Sequence, residues 1–518
     1  MSLMVRKART ILRWLLVGGV LALAVAPALP LVVSTLGQES NQPVWTGAFA
    51  QSVQSTLWLG AGVSIFSLLV GWPLGLLTSL YRFPARRSLV LFQALPLLLP
   101  SFLLAIGWSN LAAVNGLAWL PAPAGLAGCL FVLGLQAVPL PFFATWAACQ
   151  NLTASQIDAA RLHGGEPAVL KLSAVACAPV AILAALLGGI LCLADPGAPL
   201  ILGARSVAVE ILTSFSALRD YGLAGRQCLL LAGCVLLLTT PVLTVGLRRL
   251  ASAVLARQTR PAVPYPHRVY SPLALVGLLL VLLVGIVAPT LGLGWPAAQN
   301  PMLQRALQKL ADTASTTLVF TGGAGLTAVV LATVLALAAA ENARARRTAL
   351  AVLLVLLALP PALAAIGVLQ VAAHAPPQLD WLTRSQPTVP LILGLRFLPV
   401  ATVAMMRAAG SLAPSWTEAA RIHGVAPSRL LLRVVLPHLG SAMMVSLLLT
   451  SVLAAADITT TQLLQPPGAQ TLPVAIFTVM ANSPEGLVAS LCLLYLLSVV
   501  LLLAAAAQLP RLWSGRAA

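Results

Sequence analysis

Charge is scarce in this sequence. Asp, Glu, Lys and Arg make up 8% of 518 residues, where a soluble domain carries about 25%. Acid is scarcest, with 12 Asp and Glu against 30 Lys and Arg and a formal net charge of +18. No Gly-Lys pair occurs, which excludes a Walker A loop for nucleotide phosphate. A His/Glu zinc pattern, a nucleophile elbow and a Gly-rich dinucleotide loop are missing as well. The cysteines, at 129, 149, 177, 192, 228, 234 and 492, show no CxxC spacing and lie in or beside apolar runs. They read as small buried hydrophobes in a reduced state, not as a disulfide framework or zinc site. The chain therefore carries no catalytic constellation, and no cofactor or metal site is expected.

What fills the sequence is apolar residue, 59% of it, at a mean hydropathy of +0.97. A run of about 20 apolar residues spans a bilayer core. Such runs lie near 11–33, 55–80, 88–112, 124–149, 168–194, 226–247, 271–293, 315–340, 349–373, 389–411, 429–455 and 486–508. An all-α polytopic membrane protein of about twelve transmembrane helices is the expectation. The cations sort by side. One face takes Arg6, Lys7, Arg9 and Arg13, then Arg82, Arg86 and Arg87, Arg161 and Lys171, and Arg248, Arg249, Arg257, Arg260 and Arg268. It also takes Arg344, Arg346 and Arg347, Arg407, Arg421, Arg429 and Arg433, and Arg511 and Arg516. The other keeps Arg205, Arg219, Arg226, Arg305, Lys309, Arg384 and Arg396. By the positive-inside rule the richer face, with both termini, is cytoplasmic. The basic balance is topology, and a nucleic-acid partner is not implied. The first span has the outline of a signal peptide, ending in Ala26-Pro27-Ala28. The span at 271–293 holds the matching place later in the chain and favours retention of both.

The chain repeats at one offset of 260 positions (418 − 158). Ala85-Arg86-Arg87 matches Ala345-Arg346-Arg347, Pro100 with Ala105-Ile106-Gly107 matches Pro360 with Ala365-Ile366-Gly367, and Pro139 matches Pro399. Two six-helix halves, 1–253 and 254–518, joined by a basic linker near 248–270, account for this. Both begin and end inside, so the repeat is parallel, with any substrate path between the halves.

Two polar loops stand out at that offset. One reads Ser155-Gln156-Ile157-Asp158-Ala159-Ala160-Arg161-Leu162-His163-Gly164, then Pro167. The other reads Ser415-Trp416-Thr417-Glu418-Ala419-Ala420-Arg421-Ile422-His423-Gly424, then Pro427 and Leu436-Pro437. Ser-x-x-acid is a capping-box pattern, Gly favours the helix end, and Pro suits the next first turn. A short helix, a Gly break and a new helix are expected in each loop, 155–167 and 415–437. His163 and His423 read as local loop structure. Asp195 and Asp457 each follow an apolar run near the outer end of a span. Helix-end chemistry and a role at an outer gate are both open for them.

Glu-Ala-Ala, then Gly, then Leu-Pro resembles the cytoplasmic signature loop (EAA motif) of binding-protein-dependent ABC importer permeases. Glu418, Ala419, Ala420, Gly424, Leu436 and Pro437 match it. The first copy offers Asp158, Ala159, Ala160 and Gly164, with Asp in place of Glu and Cys177 where the second has Pro437. The resemblance implies a type I ABC importer permease (MetI-like) fold in an inner membrane, fused from two halves. It implies these residues as docking sites for two copies of an ABC ATPase subunit, and a periplasmic or extracellular substrate-binding protein as partner. The chain itself is then a transport subunit and not an enzyme. The stretches 195–203 and 465–473 are similar to ferric iron permeases and are shared with aminophosphonate and polyamine systems. Thiamine permeases share the fused plan. An ion-coupled secondary transporter is the alternative of another class.

Overall fold

The computed structural model describes residues 3–37, 43–114, 123–255, 263–340, 342–374, 386–412 and 414–514. Arg257, Arg260, Arg384 and Arg516 of the charge pattern lie outside the described residues. Among those described the chain is helical, and its one bridge pairs Tyr81 with Tyr265. The N-terminal helices are α1 (Leu3–Val25), α2 (Leu29–Gly37), α3 (Gly47–Leu80), α4 (Arg86–Phe92), α5 (Leu95–Leu98) and α6 (Ser101–Ala113). They continue with α7 (Gly125–Ala137), α8 (Pro139–Cys149), α9 (Ala154–Cys192), α10 (Gly197–Leu202), α11 (Val207–Ser216) and α12 (Tyr221–Leu255). The C-terminal helices are α13 (Tyr270–Leu282), α14 (Ala288–Gln299), α15 (Leu303–Ala339), α16 (Ala343–Ala358), α17 (Pro361–His374) and α18 (Thr388–Gly410). They close with α19 (Pro414–Ile422), α20 (Pro427–Leu430), α21 (Leu436–Ala456), α22 (Ile458–Leu464), α23 (Leu472–Val479) and α24 (Glu485–Ser514).

Ten of the described helices are long and apolar enough to cross a membrane, or twelve if two bent pairs each count as one span. The protein is an all-α polytopic membrane protein. Runs 88–112 and 349–373 read as single spans by hydropathy, but each is broken. Arg86–Leu98 meets Ser101–Ala113 at 96°, and Ala343–Ala358 meets Pro361–Ala373 at 86°. Proline is the cause. Pro100 and Pro360 have no N–H to donate, and proline drives the preceding residue out of helical geometry. Leu99 and Leu359 are extended accordingly, with ψ 144° and 146°.

The order of elements recurs after α12: a long helix, a broken helix, a span, a polar loop leading into another span, two short helices, and a final long helix. The first segment of each set packs on the other set. Val17, Val20 and Ala24 of α1 are buried in one core with Phe320, Leu335 and Leu398. Leu293 of α14 is buried with Phe102, Leu103 and Trp108. Glycine makes both crossings close. A Cβ at Gly107 would strike the Pro289 carbonyl, one at Gly292 the Gly107 carbonyl, and one at Gly367 the Pro27 carbonyl. Gly107 and Gly367 are themselves related by the 260-residue offset.

This crossing predicts an asymmetry between neighbouring glycines. Gly292→Ala forces α14 from α6 and is expected to cost about 1–3 kcal/mol. A Cβ at Gly294 meets nothing within 4 Å, so Gly294→Ala should be neutral or slightly stabilising. Thermal unfolding of both variants in one detergent checks this; equal midpoints would contradict the close crossing.

Candidate functional site

Three features gather the polar residues: the two loops, a tyrosine cluster beside the first, and the proline breaks. The loops lie at one end of the bundle. Arg407, just before the second, donates from Nη2 to the Gln150 Oε1 atom, just before the first, at 3.2 Å.

The first loop opens on Thr153, which is extended. Its hydroxyl accepts the Gln156 N–H (3.4 Å), and the Gln156 side chain accepts the Thr153 N–H (3.0 Å). This corrects the expected cap. The box is Thr153/Gln156, because Thr153 sits at the boundary while Ser155 is already helical. Asp158 instead pairs with Arg161 at 3.5 Å. In the second loop α19 begins at Pro414, so Ser415 and Glu418 lie inside the helix and are not its cap pair. Asp158, Ala159, Glu418 and Ala419 are exposed, whereas Ala420 is buried.

The second helix ends on Gly424. The Val425 N–H bonds the Ala420 carbonyl (2.8 Å) and the Gly424 N–H bonds the Arg421 carbonyl (3.3 Å). That is a Schellman ending, which calls for a left-handed residue, and Gly424 has φ +63°. A side chain there would meet nothing within 4 Å; backbone conformation alone selects glycine. In the first loop the left-handed residue comes one position later. Gly164 is non-helical (φ −157°, ψ 22°) and Gly165 has φ +65°, so the break expected at Gly164 is shared by the pair. Pro427 opens α20 as expected. A π-helical turn at Leu431–Val435 leads into α21, where Leu436 and Pro437 form the first turn.

Sequence reasoning missed one property of these loops. Leu162 is 91% exposed and Ile422 is 81% exposed. They hold matching positions, each directly before a histidine, and that register was the available signal.

Glu166, in the first turn after the glycine break, is the centre of the tyrosine cluster. Tyr81 and Tyr265 both donate to its Oε2 atom (3.0 and 2.7 Å), and Arg161 donates to Oε1 (3.1 Å). The Arg161 guanidinium also lies 4.1 Å from the Tyr265 ring centre. Burial first, then the neighbouring phenol and Glu166, push Tyr81 above the usual phenol range. Burial and the bond to Glu166 do the same for Tyr265. Both phenols thus remain donors. Tyr265 belongs to the segment between the two helix sets, so that segment is fastened to the first loop. At the offset position the second loop has Ala426, which carries no such carboxylate.

The proline breaks leave carbonyls without helical donors. Gln136 Nε2 donates to the Leu99 carbonyl (2.8 Å), and Arg396 Nη1 donates to the Leu359 carbonyl (3.3 Å). Positions 136 and 396 also differ by the offset. Arg396, which the charge pattern placed on the outer face, is instead 19% exposed and pairs with Asp457 at 2.6 Å. Asp457 caps α22 by accepting the Thr460 N–H (2.9 Å) and hydroxyl (3.0 Å). Asp195 accepts the Gly197 N–H (2.7 Å) and the Ser101 hydroxyl (2.8 Å), the residue after the first break. Asp195 also feels the charges of Asp457 and Arg396. The structure thus brings the two acids into one electrostatic neighbourhood while each does helix-end work.

Residues 328–514 match the family model of the binding-protein-dependent transport system inner membrane component. The match takes in the second loop, Arg396 and Asp457. No curated protein matches the chain, and no solved structure does.

Two expectations follow from these contacts. Tyr265→Phe removes one donor to the Glu166 carboxylate, worth about 1.5–3 kcal/mol for a charged acceptor. Amide exchange across 155–165 should rise by at least about tenfold, with 415–425 unaffected; unchanged exchange would show the loop is held otherwise. Arg396→Met strands a buried carboxylate and should cost roughly 3–5 kcal/mol. The double variant Arg396→Met with Asp457→Asn should recover most of it in chemical denaturation. A double variant as unstable as the single would mean the ion pair is not what the cost reports.

Proposed function

We propose that this chain is the permease subunit of an ATP-driven, binding-protein-dependent importer. The observation that carries the reading is the pair of loops at one end of the bundle, each presenting an exposed apolar residue, Leu162 or Ile422, on a short helix. The family match over 328–514 supports it. A lone exposed apolar residue is ordinary; here two stand at positions related by the 260-residue offset, on loops at the same end of the bundle, as a paired contact with two copies of one partner requires. On this reading one ATPase subunit docks on Asp158, Ala159, Ala160 and Gly164, and a second on Glu418, Ala419, Ala420, Gly424, Leu436 and Pro437. Both loops and both termini face the cytoplasm of an inner membrane, and 1–253 and 254–518 are two fused halves. Closure of the ATPases draws the loops together and rocks the halves apart at the far end. Asp195 and Asp457, beside the proline breaks, belong to the outer gate. A periplasmic or extracellular binding protein delivers substrate there. Ferric iron is the substrate proposed from the stretches at 195–203 and 465–473, ahead of thiamine, aminophosphonate and polyamine.

Broken helices and the Arg396–Asp457 pair favour a second reading, an ion-coupled secondary transporter. ATPase association separates the two. The ATPase subunit that co-purifies with the wild-type chain should be lost with Ile422→Asp, and with Gly424→Val, because a β-branched residue resists the left-handed region. Leu162→Asp should weaken it less. Transport that persists in Ile422→Asp with no ATPase bound would establish the ion-coupled reading instead.

A further inference from the structure

A cavity of about 290 Å³ lies beside the first loop. Arg86, Trp146, Gln150, Ile157 and Tyr265 are among its walls. Its charges are one-sided. Arg86 donates from Nε to the Thr78 carbonyl (2.7 Å), and no carboxylate among the described residues pairs with its guanidinium. Arg87 adjoins it in sequence, and Arg407 donates to Gln150 of the wall (3.2 Å). Among the described residues no Asp or Glu lines the cavity. Two acids adjoin wall residues: Glu166 bonds Tyr265 and is already committed to Tyr81, Tyr265 and Arg161, and Asp158, next to Ile157 in the chain, is exposed and pairs with Arg161.

A half-buried guanidinium with free N–H groups calls for an anion. Its planar fork fits two oxygens of a phosphate. Basic cavities between helices on the cation-rich side of a membrane protein are where phospholipid headgroups bind, and Trp and Tyr are the aromatics of that interface. We propose that this cavity binds a phosphate-bearing anion through Arg86, supplied by an anionic phospholipid headgroup or by soluble phosphate. Ile157 and Tyr265 are shared with the first loop and the segment fastened to it, so the occupant would brace that loop and not the second. The site rests on these side chains and holds whether or not the loops dock an ATPase.

The test is native mass spectrometry and thermal unfolding of the full chain in neutral detergent, titrated with phosphatidylglycerol, phosphatidylcholine or inorganic phosphate. Wild type should retain phosphatidylglycerol in preference to phosphatidylcholine and gain stability with it. Arg86→Gln should weaken that binding by about fivefold or more, while Arg344→Gln, at an exposed arginine that does not line the cavity, leaves it unchanged. Gln150→Glu keeps the shape but supplies an internal carboxylate, and should also abolish binding; it serves if Arg86→Gln does not fold. Stabilisation by inorganic phosphate with the same dependence on Arg86 would make the source soluble. Equal retention of both lipids with no effect of phosphate, or wild-type binding in Arg86→Gln or Gln150→Glu, would overturn the proposal.

Discussion

A carbonyl oxygen set free inside a membrane protein has no water to turn to, and each unsatisfied group costs several kcal/mol. Much of the interior architecture follows from meeting that demand twice. Pro100 and Pro360 turn a span through nearly a right angle and expose the carbonyls of Leu99 and Leu359. Gln136 and Arg396 answer from the same position in each helix set. Once arginine is used in place of glutamine, its charge needs an acid, and Asp457 supplies it while capping α22. Asp195 and Ser101 tie the end of α9 to the other break. The polar cluster is thus a consequence of bending helices in an apolar medium, and it lies where the two sets meet.

That demand produces near-symmetry in the interior, whereas the loop-bearing end is unequal. Both loops put a short helix, an exposed apolar residue and a glycine break in the same order. The first is then held by Glu166, two tyrosines and Arg161. Among the described residues the second has its own Schellman ending and an edge-on contact of Trp416 with His438, and it otherwise lies open, with Arg421 to Arg429 exposed. A tied loop transmits force with little slack, and an open one can adapt to what it meets. The segment around Tyr265 makes this difference, and it does so through tertiary contact with Tyr81, which is fully buried.

The crossing of first segments adds a further coupling. α1 packs with the C-terminal set and α14 with α6. Glycines on α6, α14 and α17 permit backbone contact at these crossings. Any motion that separates the sets must either carry these segments along or break contacts where a single methyl group has no room. The two sets are therefore joined by mutual clasping as well as by the connecting segment.

The spans, the loops and the 260-residue offset were legible in the sequence because each rests on local chemistry: apolar run length, Pro and Gly conformational limits, and the order of polar residues. Gly424 is a clear instance, since a helix followed by Gly and then Val encodes its own ending. The capping pair was misjudged because two hydroxyl residues compete two positions apart, and only backbone geometry picks Thr153 over Ser155. The tertiary structure alone decided the rest. Arg396, inside the run at 389–411, sorts to the outer face because the charge pattern reads only the side a cation is on, while one buried partner, Asp457, 61 positions away (457 − 396), decides its role. Glu166, Tyr81 and Tyr265 show no pattern in the chain, being separated by many residues, and meet only because the segment around Tyr265 folds back against α3. Local backbone preference acts over a few residues and can be read in order. The pairing of a buried charge acts through space, and it becomes visible only when the helices have been brought together.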